Sequence, residues 1–251
     1  IPKVDISRSL LHAFITRKRE IRRIPRYSFF MAECVTSVTS MCLRNDLVAT
    51  YRLIAIDSRG HGKSTLGSQP LTYRQLTQDA LSVLEHLDIE RTSIIGFSDG
   101  GIVAYRLALQ APNRVDRIVA IGAACKLIDE TASILEGVTA AGWDAKFPQT
   151  RKDYESFNPE ADFERFVEVS KQMWLDRSEA GYPGPNAVKA LDQPVLILRG
   201  DDDHLFSLAE AVELRTLIKQ ARLLNVPAAG HVVHQERAAI CSTAIRQFLR
   251  A

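Results

Sequence analysis

The stretch Ser93-Ile94-Ile95-Gly96-Phe97-Ser98-Asp99-Gly100-Gly101-Ile102-Val103-Ala104-Tyr105 decides the fold. It reads as a short buried strand, then Gly-x-Ser-x-Gly, then an apolar helix. A serine lifted to the tip of a sharp strand-to-helix turn takes a strained backbone, and the residues two before and two after it come close together. Side chains there would collide, and Gly96 and Gly100 have none. The turn also aims the first amides of the helix at the space above the Ser98 hydroxyl, where oriented N–H groups and the helix dipole stabilise developing negative charge. Three fixed positions recur by chance in roughly one chain in ten of this length. The surrounding text has to carry the reading.

Upstream, Tyr51-Arg52-Leu53-Ile54-Ala55-Ile56-Asp57 is a buried strand that stops at Ser58-Arg59-Gly60-His61-Gly62. Thr72 caps a helix whose apolar positions Tyr73, Leu76, Ala80, Val83, Leu84 and Leu87 fall on one face. Downstream, Pro112-Asn113 breaks to a strand at Arg117-Ile118-Val119-Ala120-Ile121. A segment of different texture, residues 124–192, is helical and holds both tryptophans. Asn158-Pro159 is expected to open its best helix, with Pro in the tolerated first position and a stripe of Phe163, Phe166, Val167, Met173 and Trp174. The rhythm resumes with a strand at Pro194–Gly200, a capping box at Ser207 and Glu210, a strand at Ala221–Val226 and a closing helix over 236–249. Alternating strands and helices predict an α/β fold, a mostly parallel central sheet with helices on both faces. In residues 27–43 neither a helical nor a strand period persists.

Composition bounds the function. Of the 251 residues 46% are hydrophobic and 25% charged, with a formal net charge of +2. That balance recruits neither nucleic acid nor a membrane surface, and the basic run Arg17-Lys18-Arg19 with Arg22 and Arg23 reads as a solvated segment. No apolar run reaches the length of a membrane span and no cleavable signal is present. Cys34, Cys42, Cys125 and Cys241 have no metal-ligand spacing, so free thiols in a reducing cytoplasm are expected. No metal and no cofactor are called for.

In such a sheet ligands bind beyond the carboxyl ends of the strands. Three strands end in reactive groups: Ser98, then Asp201-Asp202-Asp203-His204, then Gly230-His231. A serine hydroxyl needs a base to take its proton, imidazole suits that near neutral pH, and a carboxylate on the far nitrogen orients the ring. The residues alone leave Asp201, Asp202 and Asp203 open as the acid, and His231, His234, His204 and His61 as the base. His12 and His86 read as surface residues.

From about Leu47 onward the chain resembles the α/β-hydrolase fold family, in its serine-nucleophile branch with a helical cap. Four motifs carry the likeness: Asp57-Ser58-Arg59-Gly60-His61-Gly62-Lys63-Ser64, Gly96-Phe97-Ser98-Asp99-Gly100-Gly101, Gly200-Asp201-Asp202-Asp203, and Gly230-His231-Val232-Val233-His234. The family pattern places the acid at Asp203 and the base at His231, and it implies an oxyanion donor at the Asp99 N–H. Arg59 and His61 brace the loop after their strand. The resemblance divides the chain into a core, residues 1–123 and 193–251, and a cap, residues 124–192. It makes Trp143, Phe147, Trp174 and Tyr182 candidates to line an apolar acyl pocket. The expected activity is that of a serine hydrolase cleaving a small ester, thioester or lactone, with a small-molecule acyl substrate as partner and homo-oligomerisation left open. Some members with a similar Ser-Asp-Gly-Gly turn act on aminoacyl esters, which suggests a substrate ammonium opposite Asp99.

The chain departs from the family in one place. The second oxyanion donor normally comes from an apolar run ending in His-Gly, some 30 or more residues before the Asp57 motif; residues 15–45 hold no such text, although their length is right. Right length with wrong text is what a slip of reading frame in the gene, restored near Asn45–Leu47, would leave. The lack of a donor implies a catalytically impaired or non-catalytic, ligand-binding member as the alternative, since one donor is worth on the order of 10²–10³ in turnover.

Overall fold

Ile94 and Ile95 are neighbours in sequence, both buried, and belong to different hydrophobic clusters. A strand turns successive side chains to opposite faces, so a continuously apolar strand must be covered twice. Ile118 and Val119, and Ile197 and Leu196, divide in the same way. The computed structural model, which describes residues 13–15, 28–33, 47 and 50–251, shows how the covering is done.

The strands are β1 (Ala13–Ile15), β2 (Ser28–Glu33), β3 (Arg52–Asp57), β4 (Thr92–Phe97), β5 (Val115–Ile121), β6 (Val195–Gly200) and β7 (Ala221–Val226). They form one sheet of seven strands in the order β1-β3-β2-β4-β5-β6-β7. β1 runs antiparallel to β3, and every other neighbouring pair is parallel. The helices are α1 (Tyr73–His86), α2 (Asp99–Gln110), α3 (Asp129–Glu136), α4 (Ala140–Lys146), α5 (Pro148–Phe157), α6 (Phe163–Trp174), α7 (Pro185–Val188), α8 (Leu208–Leu217), α9 (Val233–Glu236) and α10 (Ala238–Arg250).

On one face Leu76 of α1, Val103 of α2 and Leu214 of α8 pack with Ile54, Ile94, Ile118 and Ile197 of the strands. On the other, Ile245, Phe248 and Leu249 of α10 pack with Leu53, Ile95, Val119 and Leu196. The fold is the α/β-hydrolase architecture. Helices α3 to α7 form an insertion between β5 and β6.

Local signals held where they were strong. The Thr72 hydroxyl accepts from the Gln75 N–H at 3.0 Å, and Ser207 and Glu210 form both arms of their capping box. Two expectations are corrected. Asn158-Pro159 does not open α6: the Asn158 side chain accepts from the Glu160 N–H at 3.0 Å, which makes a turn, and Asp162 caps the helix instead by accepting from the Arg165 N–H at 3.0 Å. The stretch without a period also contains a strand. β2 lies between β3 and β4, with Phe29 beside Leu53 and Ser93. The closing helix is α10, and a separate short helix, α9, precedes it across Arg237. The basic run at 17–23, His12, Cys34, Cys42 and the segment after Glu33, where a second oxyanion donor was sought, lie outside the described residues. Among the described residues no helix is long and apolar enough to cross a membrane.

Candidate active site

Three parallel strands deliver the reactive groups at their carboxyl ends. Ser98 follows β4 with φ 50 and ψ −116, a left-handed backbone that a side chain adopts only under strain. A Cβ added at Gly96 would overlap the carbonyl of Gly100. The elbow therefore closes only with glycine at that approach. Ser98 stands at the N-cap of α2, yet its hydroxyl makes no cap hydrogen bond. Instead its Oγ lies 3.1 Å from Nε2 of His231.

His231 follows β7, and its Nδ1 faces both oxygens of Asp203, at 3.0 Å and 2.9 Å. Asp203 follows β6 with a fully buried side chain. Burial alone would raise its pKa. The hydrogen bond and positive charge of His231, with the amides of Leu205 and Phe206 donating at 2.9 Å and 3.1 Å, outweigh that effect and hold the carboxyl below its ordinary value. Of the candidates left open by the residues, the structure thus brings together Ser98, His231 and Asp203. Asp201 and Asp202 are exposed, as is His204. His234 is buried against the Phe97 ring, at 4.6 Å between centroids. His61 is buried with Nδ1 3.1 Å from the Arg59 carbonyl, and Arg59 forms a two-pronged ion pair with Asp79 at 2.7 Å and 3.0 Å. Both brace the loop after β3.

Two contributors were not found in the sequence. Gly122, which ends β5 between the nucleophile strand and the acid strand, has φ 58, and a Cβ there would lie 3.0 Å from the His231 ring and 3.3 Å from Asp203. The isolated glycine after Ile121 was the available signal. Arg199, only 2% exposed, donates to the carbonyls of Phe206, Asp201 and Asp203 and to the Asn225 side chain. It fixes the loop that carries the acid. An arginine inside an apolar strand, Val195-Leu196-Ile197-Leu198-Arg199, was its signal.

Asp99 opens α2, and both its carboxylate oxygens are engaged: Oδ1 accepts from the Tyr73 hydroxyl at 2.7 Å and Oδ2 from the Trp174 indole N–H at 2.9 Å. This carboxylate is a strut between α1, α2 and the insertion. Burial and then the Asp99 charge push the Tyr73 hydroxyl well above its ordinary pKa, so it stays a donor. Trp143 stacks on Trp174, with centroids 5.6 Å apart and planes at 19°. Phe147 meets the edge of Trp143 at 6.2 Å but is 46% exposed. Tyr182 packs against Tyr73 at 5.1 Å and donates to the Trp174 carbonyl at 3.2 Å. Cys125 is a buried free thiol that burial pushes up to about 12, and Cys241 is buried with its Sγ donating to the Val233 carbonyl at 3.5 Å. Among the described residues no group of three or more His, Cys, Asp or Glu is placed to hold a metal ion.

The family model described as "Alpha/beta hydrolase family" matches residues 26–243, and the chain belongs to that family. It is 32% identical over 207 residues to a non-heme haloperoxidase of Rhodococcus erythropolis, covering 72% of this chain and 76% of that one. It is 28% identical over 225 residues to a 2-hydroxymuconate semialdehyde hydrolase of Pseudomonas sp. (strain CF600), covering 81% and 78%. The solved enol-lactonase of Burkholderia xenovorans LB400 superposes with a TM-score of 0.76 at 21% identity, covering 96% of each chain. The last likeness is one of fold. Family and relatives together support a hydrolase as the broad class.

Proposed function

We propose that the protein is a serine hydrolase of small esters, thioesters or lactones. The observation that carries this reading is the unbroken chain of hydrogen bonds Ser98–His231–Asp203 across three strand ends. His231 Nε2 takes the Ser98 proton as Oγ attacks the acyl carbonyl. Asp203 holds the ring with its proton on Nδ1 and stabilises the imidazolium. The oxyanion of the tetrahedral intermediate is met by the Asp99 N–H at the positive end of α2. The imidazolium proton passes to the leaving alcohol, thiol or alkoxide, leaving an acyl-Ser98 ester. Water, deprotonated by His231, then releases the acid. The insertion acts as the cap, with Trp143, Trp174 and Tyr182 on its inner side and Phe147 at its margin.

A fluorophosphonate probe tests the reading. It is expected to label Ser98, with labelling lost in Ser98→Ala and His231→Ala; an unlabelled wild-type protein overturns it. A second reading, an impaired or non-catalytic member of the fold, rests on the absence of His-Gly from residues 15–45. Its mark is labelling without ester turnover. An aminoacyl ester set against its des-amino analogue tests Asp99: equal rates remove a substrate ammonium as its partner.

A further inference from the structure

Between the end of β7 and His231 the chain passes through Pro227, Ala228, Ala229 and Gly230, so whatever fixes this short loop fixes the base. Ala228 has φ 51, a left-handed backbone that an alanine keeps only where its surroundings impose it. One hold comes from the loop of the acid. The Ala229 carbonyl accepts from the Asp202 N–H at 2.8 Å, and a Cβ at Gly200 would overlap the carbonyls of Ala229 and Gly230. Among the described residues β7 is the last strand of the sheet, and no strand lies beyond it to steady the loop further.

The remaining hold comes from the chain after the base. Helix α9 is a single turn, closed where the Val232 carbonyl accepts from the Gln235 and Glu236 N–H groups at 2.9 Å and 3.2 Å. Val233 seats it, buried in the cluster that holds Ile245 and Phe248 of α10. The turn brings Glu236 back over the loop, where its Oε2 accepts from the Gly230 N–H at 2.7 Å. A Cβ at Gly230 would lie 3.3 Å from the same carboxylate, so the side chain rests directly against the glycine. Arg237 donates to the carbonyl of the strained Ala228 and, at 3.0 Å, to that of Glu236. Residues 236 and 237 thus grip residues 228 and 230, just ahead of His231. A backbone N–H given to a carboxylate is among the shorter and stronger hydrogen bonds.

We propose that Glu236 is a positioning residue for the base. It acts through the Gly230 backbone, while the His231 ring keeps its own bonds to Asp203 and Ser98. Proton transfer depends on the 3.1 Å approach of Nε2 to Oγ, and a drift of about 1 Å in such a pair costs up to about 10²-fold in rate. Glu236 is exposed, so its bond adds little to the stability of the fold. The inference rests on the serine-hydrolase reading and adds a residue to its machinery.

The test measures kcat and KM for phenyl acetate, with Tm, in the wild type, Glu236→Ala and Glu236→Gln. Assays run far below every Tm, so that loss of folded protein does not enter. Glu236→Ala is expected to lower kcat by about ten-fold, with KM within about two-fold and Tm within about 3 °C. Glu236→Gln keeps an oxygen for the Gly230 N–H and is expected to restore kcat to within about two-fold of the wild type. Should ester turnover be absent, the rate of fluorophosphonate labelling at Ser98 replaces kcat, with the same expected changes. An unchanged rate in Glu236→Ala overturns the positioning role, whatever its Tm. Equal losses in both variants overturn it too, since the charge and not the acceptor would then matter. Those results leave wild-type labelling of Ser98 intact, whereas absence of labelling removes the serine reading and the positioning role with it.

Discussion

Ser98 combines a strained backbone with a hydroxyl not used for helix capping, and both features only make sense together with the ring 3.1 Å away. At this scale the acid is the most exposed to test. Asp203→Asn keeps the shape, but its amide can turn an N–H toward His231 Nδ1 and favour the wrong tautomer. Ester kcat/KM is expected to fall by about 10⁴-fold. The neighbouring His234 gives a pH prediction. Burial, then the His231 charge, lowers it to about 4. Since its folded pKa lies below the unfolded one, its contribution is complete above roughly pH 6.5 and is lost as pH falls toward 4, about 3 kcal/mol in all. Asp203 acts in the same direction in a lower window, through the carboxylate range, because its folded pKa is also depressed. Urea midpoints measured from pH 7 to pH 4 should fall steeply in the wild type and less so in His234→Leu.

Among elements, the elbow between β4 and α2 and the loop after β3 are the places where one atom decides. Gly96→Ala sets a methyl on the Gly100 carbonyl, backbone against backbone, so nothing flexible can yield. A loss of about 3 kcal/mol or more is expected in chemical denaturation. Asp79→Ala strips the buried Arg59 of both carboxylate contacts, at side-chain exposures of 9% and 11% for the pair. The expected cost is about 3 kcal/mol, read as a lowered Tm. Legibility also divides at this scale. β4 and β6 were plain in the text because apolar runs end there at Ser98 and at Gly200-Asp201, and β7 because Pro227 stops it. β2 was not, because Phe29-Phe30-Met31-Ala32 is a short apolar run with no glycine after it to mark its end, and so short a run shows no period. The Asn158-Pro159 start failed because an Asx turn competed with the helix at that point. Ser98, Asp203 and His231 could be singled out because each follows a strand end. Gly122 and Arg199 carried only a faint signal, an isolated glycine and an arginine in an apolar strand, because their work depends on which strand lies beside which.

Across the whole molecule, the order β4-β5-β6-β7 explains why groups 133 and 28 positions apart meet: Ser98 and His231 are set down three strands apart on the same rim, and Asp203 one strand from His231. The insertion is pinned to that rim through Trp174 and Asp99. The two tryptophans of the chain, Trp143 and Trp174, are stacked on each other within this one insertion. The protein's intrinsic emission under tryptophan-selective excitation is therefore an optical gauge of a single spot, undiluted by signal from the sheet. Titration with a non-hydrolysable acyl ketone is expected to shift its intensity or wavelength, and Trp143→Phe to leave one fluorophore whose signal tracks the indole bonded beside the nucleophile.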